Sequence, residues 1–258
     1  MIQAYTLFSG SSGNSIYIRD EKTEILIDAG RSCSLIQGAL LELGTCLQNI
    51  SAIFVTHEHS DHIKGLEIIS KKFKIPVHMT YPSYAGGVSR GTFLDECTTP
   101  HDVVYEVKCG TLCVKSFPIP HDSEQNVGYL IESKGEVFGI ATDIGHLTTT
   151  IVDSLVKCER IIVESNHDIK MLKSGPYPSF LKQRILSSLG HLSNVDCAKL
   201  CVYLCQNGVK GITLAHLSKE NNTPALAFDE VRRALDSNNL ENIPIRVAMP
   251  ENTVCATE

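Results

Sequence analysis

Five short apolar runs in this chain each end on a side chain that can hold a metal ion, and that repetition narrows the folds open to it. Ile25–Ile27 ends in Asp28, and Ala52–Val55 leads through Thr56 into His57. Val114–Pro120 ends in His121, Val137–Thr142 in Asp143, and Gly211–Ala215 in His216. Short β-branched and apolar runs bounded by turns read as buried strands. Five such strands would deliver their polar ends along one edge of the fold, with the chemistry carried on loops. Helical patterns fill the gaps. Ser32 caps a helix with apolar face Leu35, Ile36, Ala39, Leu40 and Leu43, stopped at Gly44. A second runs from near His62 through Leu66 and Ile69 to Phe73, a third covers Leu147 to Lys157, and a fourth starts with Pro178 in its first turn and ends at Gly190. Ser193 with Asp196 resembles a capping box for a fifth, and Thr223-Pro224 opens the last, through Leu235. Ser133–Glu136 reads as a hairpin turn, so mixed sheets covered by outer helices are expected.

The densest of these strand ends is His57-Glu58-His59-Ser60-Asp61-His62. Imidazole nitrogen and carboxylate oxygen are ligands that zinc, manganese and iron accept. Four such groups within six residues would crowd a single ion. The pattern therefore points to two metals side by side, His57 and His59 on one, Asp61 and His62 on the other.

Composition sets the background. The 258 residues are 43% hydrophobic and 20% charged, enough for a sizeable core. The N-terminal residues lack a secretory pattern and no apolar stretch is long enough to span a membrane, so a soluble, cytoplasmic protein without a membrane partner is expected. Ten cysteines include no C-x-x-C pair, and Cys197, Cys201 and Cys205 recur every four residues, a buried helix stripe in a reducing compartment. The net charge of −6 argues against indiscriminate nucleic-acid binding. Between His167 and Asn194, however, Lys170, Lys173, Lys182 and Arg184 face a single acid, Asp168.

H-x-H-x-D-H after a strand, followed by single His, Asp and His residues at later strand ends, resembles the metallo-β-lactamase superfamily. The resemblance implies an α/β (α+β) fold, a four-layer αβ/βα sandwich, here a single domain over residues 1–258 with no inserted second domain. It places His57, His59 and His121 on one metal, Asp61, His62 and His216 on the other, Asp143 bridging both, and Asp28 supporting the ligands from behind. Ser9–Ser15 and Thr142–His146 resemble the phosphodiesterase branches. Glu164–Asp168, Gly175–Pro178, Leu181–Ile185, Gly190–Asn194 and His216–Asn222 together resemble the YycJ/WalJ branch. That resemblance implies a 5′-to-3′ DNA exonuclease with a metal-bridging hydroxide, associated with DNA mismatch repair.

Two divalent cations (Zn2+ or Mn2+) with two carboxylates and a hydroxide leave a centre of about +1, able to bind phosphate on an acidic protein. Asp61 and Asp143 are thus catalytic as well as ligating, and His191, in the Gly-His-Leu-Ser loop, is the candidate proton donor to the leaving alkoxide. Ser11, Ser12 and Asn14 offer donors from a glycine-rich turn. His146 and His167 follow strand ends and are candidates for the scissile phosphate, with Asn166 and Lys182 as further substrate contacts. His78 and His101 are assigned no role. A small-molecule (cyclic) phosphodiesterase would use the same metals without a long basic groove, and a regulatory metal-binding module would keep them without turnover. A lactam hydrolase of this fold would place cysteine on the second metal, which this chain does not. Without an inserted domain, DNA lies across an open edge, or a second subunit completes the groove in a homo-oligomer.

Overall fold

The computed structural model describes residues 1–91 and 97–257. The first half of the chain runs β1 (Gln3–Phe8), β2 (Ser15–Arg19), β3 (Glu24–Ile27), α1 (Cys33–Glu42), β4 (Ala52–Phe54), α2 (Ser60–Ile63), α3 (Leu66–Phe73), β5 (Val77–Thr80), α4 (Tyr81–Ser89) and β6 (Thr98–His101). The second runs β7 (Glu106–Cys109), β8 (Leu112–Ile119), β9 (Asn126–Ser133), β10 (Glu136–Ala141), α5 (Thr149–Leu155), β11 (Arg160–Glu164), α6 (Ile169–Ser174), α7 (Ser179–Ile185), α8 (Asn194–Gln206), β12 (Gly211–Ala215), α9 (Pro224–Asp236), β13 (Ile245–Val247) and β14 (Val254–Cys255).

The strands form two sheets, ordered β14-β1-β2-β3-β4-β5-β6 and β13-β12-β11-β10-β9-β8-β7. Each is mixed. β1, β2 and β3 are antiparallel and β3 to β6 parallel, while β7 to β10 are antiparallel and β10 to β13 parallel. Side-chain alternation then sorts the apolar residues into three cores. Ile16, Ile18, Ile25, Ile27 and Phe54 of one sheet meet Tyr129, Ile131, Phe138, Ile140 and Ile162 of the other. Their neighbours Tyr17, Leu26 and Ile53 point the other way, onto Ile36 and Leu40 of α1 and Ile69 of α3. Leu130, Ala141, Ile161 and Val163 face Leu155, Leu200, Leu204 and Val231 of α5, α8 and α9. Three apolar interfaces between four layers give the αβ/βα sandwich expected from the sequence.

Most helices begin where the sequence says. Ser193 Oγ accepts from Asp196 N in the anticipated capping box of α8, and Thr223 caps α9. The cysteine stripe is buried on α8. The hairpin turn at Lys134-Gly135 joins β9 to β10, both residues at positive φ as a two-residue turn requires. Three expectations need correction. The helix expected from His62 to Phe73 is two, α2 and α3, separated at Gly65, where a Cβ would lie 2.1 Å from the Arg31 carbonyl oxygen. The helix expected to run to Gly190 stops at Ile185, with Pro178 as its cap instead of a first-turn residue. Among the described residues α4 and α6 were not anticipated; Thr80 and Asp168 cap them.

Candidate metal centre and cleft

The five anticipated strand ends meet on one edge of the sandwich. β3 delivers Asp28, β4 leads into the loop carrying His57, His59, Asp61 and His62, β8 leads to His121, β10 to Asp143 and β12 to His216. A sixth end, Glu164 of β11, joins them. Asp28, Asp143 and His216 all sit in the left-handed region, with φ of 62°, 58° and 56°. Three non-glycine residues held there turn the chain abruptly off the strand and aim its side chain at the edge, a strained geometry that clusters at functional sites.

Among the described residues, ligand-type atoms fall into four groups whose members all lie within 4.8 Å of one another: His57, His59 and His121; Asp61, His62 and His216; His57, His62 and Asp143, which joins the first two; and Asp143, Glu164, His191 and His216 beside them. Nε2 of His57, Nε2 of His216 and Oδ2 of Asp143 are buried with no hydrogen-bond partner among the described residues. Such orphaned groups cost about 1–3 kcal/mol each. A divalent cation, which needs only lone pairs, fits this set of nitrogen and oxygen donors.

The opposite edge of three of the imidazoles is held. His62 Nδ1 donates to Asp28 Oδ2 at 2.7 Å, and Asp28 also accepts from the Thr56 amide and hydroxyl. His121 Nδ1 donates to the Gly190 carbonyl at 3.1 Å, and His216 Nδ1 to Glu164 Oε1 at 2.8 Å. These bonds fix the tautomer and turn Nε2 toward the cluster, where that of His62 also meets the Asn14 amide. Burial, reinforced by the neighbouring His62 and His121 rings, holds His57 well below the usual imidazole range. Burial opposes charge on His62 as well, yet the carboxylates of Asp28 and Asp143 outweigh it and raise its pKa to about 9. Burial opposes charge on Asp61 too, but the neighbouring His216 and His62 imidazoles hold its carboxyl well below the usual carboxylate range.

Glu164 is the functional residue that sequence reasoning left without a role. Its Oε1 accepts from both His191 Nδ1 and His216 Nδ1 at 2.8 Å, and its Oε2 accepts from the Ile144 and Leu192 amides. It is fully buried, and the two imidazoles keep its carboxyl ionised against desolvation. The signal was present: Glu164 ends an apolar run, as Asp28 and Asp143 do. Glu164 in turn raises the pKa of His191 despite its burial.

Above these groups opens a cleft of about 220 Å3 lined by His59, Asp61, His121, Asp143, His191 and His216, with Ser11, Asn166, Tyr177 and Arg184 around it. Arg184 bonds Asp122, whose carboxylate lies 3.2 Å from His121 Nε2. Neither Arg184 nor Asp122 was singled out as a site residue beforehand. Of the anticipated substrate contacts, Ser11 and Asn166 reach the cleft. The others are elsewhere. Asn14 spends its amide on Asp61 Oδ2 (3.2 Å) and His62 Nε2 (3.0 Å), and its oxygen on the Gly10 amide. Ser12 lines a separate cavity with Lys219 and Glu251. Lys182 Nζ donates to the Lys173 carbonyl, which ties α7 to α6. His146 and His167 line a second cavity that shares His191 with the cleft.

The beta-lactamase superfamily domain model matches residues 23–209. Exodeoxyribonuclease WalJ of Streptococcus pneumoniae serotype 2 is 35% identical over 225 residues, covering 86% of this chain and 83% of that protein. Exodeoxyribonuclease YycJ of Bacillus anthracis is 32% identical over 234 residues, 89% of this chain and 88% of that one. Among solved structures, the metallo-beta-lactamase fold protein YhfI of Bacillus subtilis superposes with a TM-score of 0.69 at 12% identity, over 98% of this chain and 99% of that one. The short form of human tRNase Z superposes at 0.65 with 16% identity over the whole of both chains. Those two likenesses concern the fold, whereas the family match and the sequence relatives concern descent. The chain belongs to the beta-lactamase superfamily domain family, in the branch that holds the exodeoxyribonucleases WalJ and YycJ.

Proposed function

We propose that this protein is a dinuclear-metal phosphodiesterase, a 5′-to-3′ DNA exonuclease, with one hydrolase unit spanning residues 1–258. The observation that carries the reading is the pair of three-residue ligand groups joined through Asp143 beneath an open cleft that also holds His191. The names of the two sequence relatives supply the substrate class. Support for a single unit comes from the chain ends, since β14 pairs with β1 and closes the first sheet.

His57, His59 and His121 would hold one ion, Asp61, His62 and His216 the other, with Asp143 between them. Nitrogen and oxygen donors without thiolate suit zinc or manganese. When bound, two such ions concentrate positive charge on the phosphodiester and make a bound water acidic enough to attack at neutral pH. Asp28 and Glu164 would keep the imidazoles of His62 and His216 aimed at the ion. Ser11, Asn166 and Arg184 surround the position of the phosphate. His191 donates its Nδ1 proton to Glu164, which favours the imidazolium and leaves Nε2–H to protonate the departing sugar oxygen.

The test is a digest of end-labelled DNA, RNA and bis(p-nitrophenyl) phosphate by protein reconstituted with zinc or with manganese. Mononucleotides released stepwise from the 5′ end of DNA are the expected product. Hydrolysis of the aryl diester with intact DNA would replace this reading with a small-molecule phosphodiesterase.

A further inference from the structure

The cavity that shares His191 with the metal cleft holds about 280 Å3 and has no role in the chemistry described so far. Leu147, Ile169, Leu186 and Leu192 give it apolar walls, set among three histidines and a polar rim. His167 lies against it, 1% exposed, and neither of its ring nitrogens has a hydrogen-bond partner among the described residues. An imidazole buried with both nitrogens unpaired is costly unless something else supplies partners. The backbone there is rigid, because the His167 carbonyl accepts from the Asn194 amide and His167 forms a bridge with Ser193. His146 stands at the mouth, its Nδ1 spent on the Ser188 carbonyl.

Of the remaining polar residues, Ser187, Ser193 and Asp196, the carboxylate selects the ligand. Asp196 also lines the cavity, bonded to Ser193 and paired with Lys199. A carboxylate beside a neutral imidazole, among leucine and isoleucine side chains, repels phosphate and suits a flat heterocycle with donors and acceptors on its rim. We propose that this cavity receives the nucleobase of the nucleotide whose 3′-oxygen departs beside His191. The proposal rests on the exonuclease reading above. Because one imidazole borders both spaces, a sugar lying across it puts its 3′-oxygen over the cleft and its base in the cavity. A base seated there would mark the terminal nucleotide, which gives an open cleft a means of recognising a strand end.

The experiment compares 5′-phosphorylated single strands that end in deoxyadenosine or in an abasic site, and the same strands with a 5′-hydroxyl. Wild-type protein should cleave the deoxyadenosine end with kcat/KM about tenfold above the abasic end, in line with the loss of one base contact. Leu186→Trp, at a wall residue 46% exposed and so compatible with folding, should fill the cavity and close that gap. Equal rates on the two wild-type substrates would overturn the proposal. So would a rate set by the 5′-phosphate alone, which would make the cavity an anion site. Equilibrium dialysis with dAMP and with 2-deoxyribose 5-phosphate separates the two layers of the argument. If no DNA is degraded but dAMP binds about tenfold tighter, and Leu186→Trp abolishes the difference, the base cavity stands and the exonuclease reading falls. If both ligands bind alike, the cavity proposal falls whatever the activity.

Discussion

At the level of single residues, the centre depends on carboxylates that never touch substrate. Asp28 illustrates the point, since one carboxylate holds His62, the Thr56 amide and the Thr56 hydroxyl. Asp28→Asn keeps the volume but places an amide where His62 must donate, so metal affinity should fall about 10- to 100-fold, read by competition with a chromogenic chelator. Glu164 and His191 separate by the same measurement. His191→Ala should lower turnover about 10²–10⁴-fold with metal content intact, as the proposed role of proton donor requires. Glu164→Gln should lower both turnover and metal affinity, because it disturbs His216 as well as His191. Metal loss in His191→Ala would instead make His191 a ligand. The asymmetry in what the sequence revealed follows from distance along the chain. His57 to His62 announce themselves because the ligands are neighbours. Glu164 joins His191 and His216, 27 and 52 residues away, and only the fold brings those pairs together.

Among elements, the loops beneath the centre are joined by main-chain bonds. The Asn14 amide donates to the Asp61 carbonyl at 2.7 Å, Gly30 to Asn14 at 2.8 Å, Ala29 to His62 at 2.8 Å and Gly65 to Ala29 at 2.8 Å. The close approach leaves no room at Gly30, where a Cβ would sit 1.8 Å from the Asp61 carbonyl oxygen. Gly30→Ala must therefore push the Asp61 loop outward. It should cost about 1–3 kcal/mol or more in urea unfolding and weaken metal binding in parallel. A variant with wild-type metal affinity would show that the Asp61 loop tolerates displacement. The same crowding accounts for what helical periodicity misread. Nothing in the apolar pattern around His62 to Phe73 marks a break, yet Gly65 sits between α2 and α3, packed where a Cβ would meet the Arg31 carbonyl and with its amide donated to Ala29 instead of a helical carbonyl. α4, with Pro82, Gly86 and Gly87, has poor helical propensity. It forms because Thr80 caps it and because Gly86 lets it lie against the side chains of Glu58 and Glu124. By contrast, α8 and α9 were legible because capping residues and amphipathic faces coincide in the sequence.

Over the whole molecule, two further outcomes follow from how charge is distributed. His78 lies in the first sheet, stacked on Phe54 and 3.0 Å from the His101 ring, and burial together with His101 pushes its pKa down to about 4. An unfolded histidine titrates near 6.5, so the folded protein binds fewer protons between those values. This contribution to stability is complete above about pH 6.5 and is lost as pH falls toward 4. His78→Val should flatten that acid limb in urea titrations at pH 5 and 7, and an unchanged limb would assign the loss to other groups. The second outcome concerns substrate. The net charge of −6 and the pairing of Arg184 and Arg31 with carboxylates limit the free positive surface. Lys182 is bonded to the Lys173 carbonyl, Arg184 to Asp122, and Arg31 to Glu251. Affinity must then come from the metal centre and the cleft instead of a long basic track. A single strand held at about three phosphates gives a slope of about −2 in log K against log salt, where a track of six or more would exceed −4. Binding of a labelled strand to His191→Ala protein between 50 and 200 mM salt, concentrations about fourfold apart, should thus weaken by about 15- to 20-fold. A loss of a hundredfold or more would mean that a basic surface, from a second subunit or from a rearranged α6–α7 segment, carries the strand.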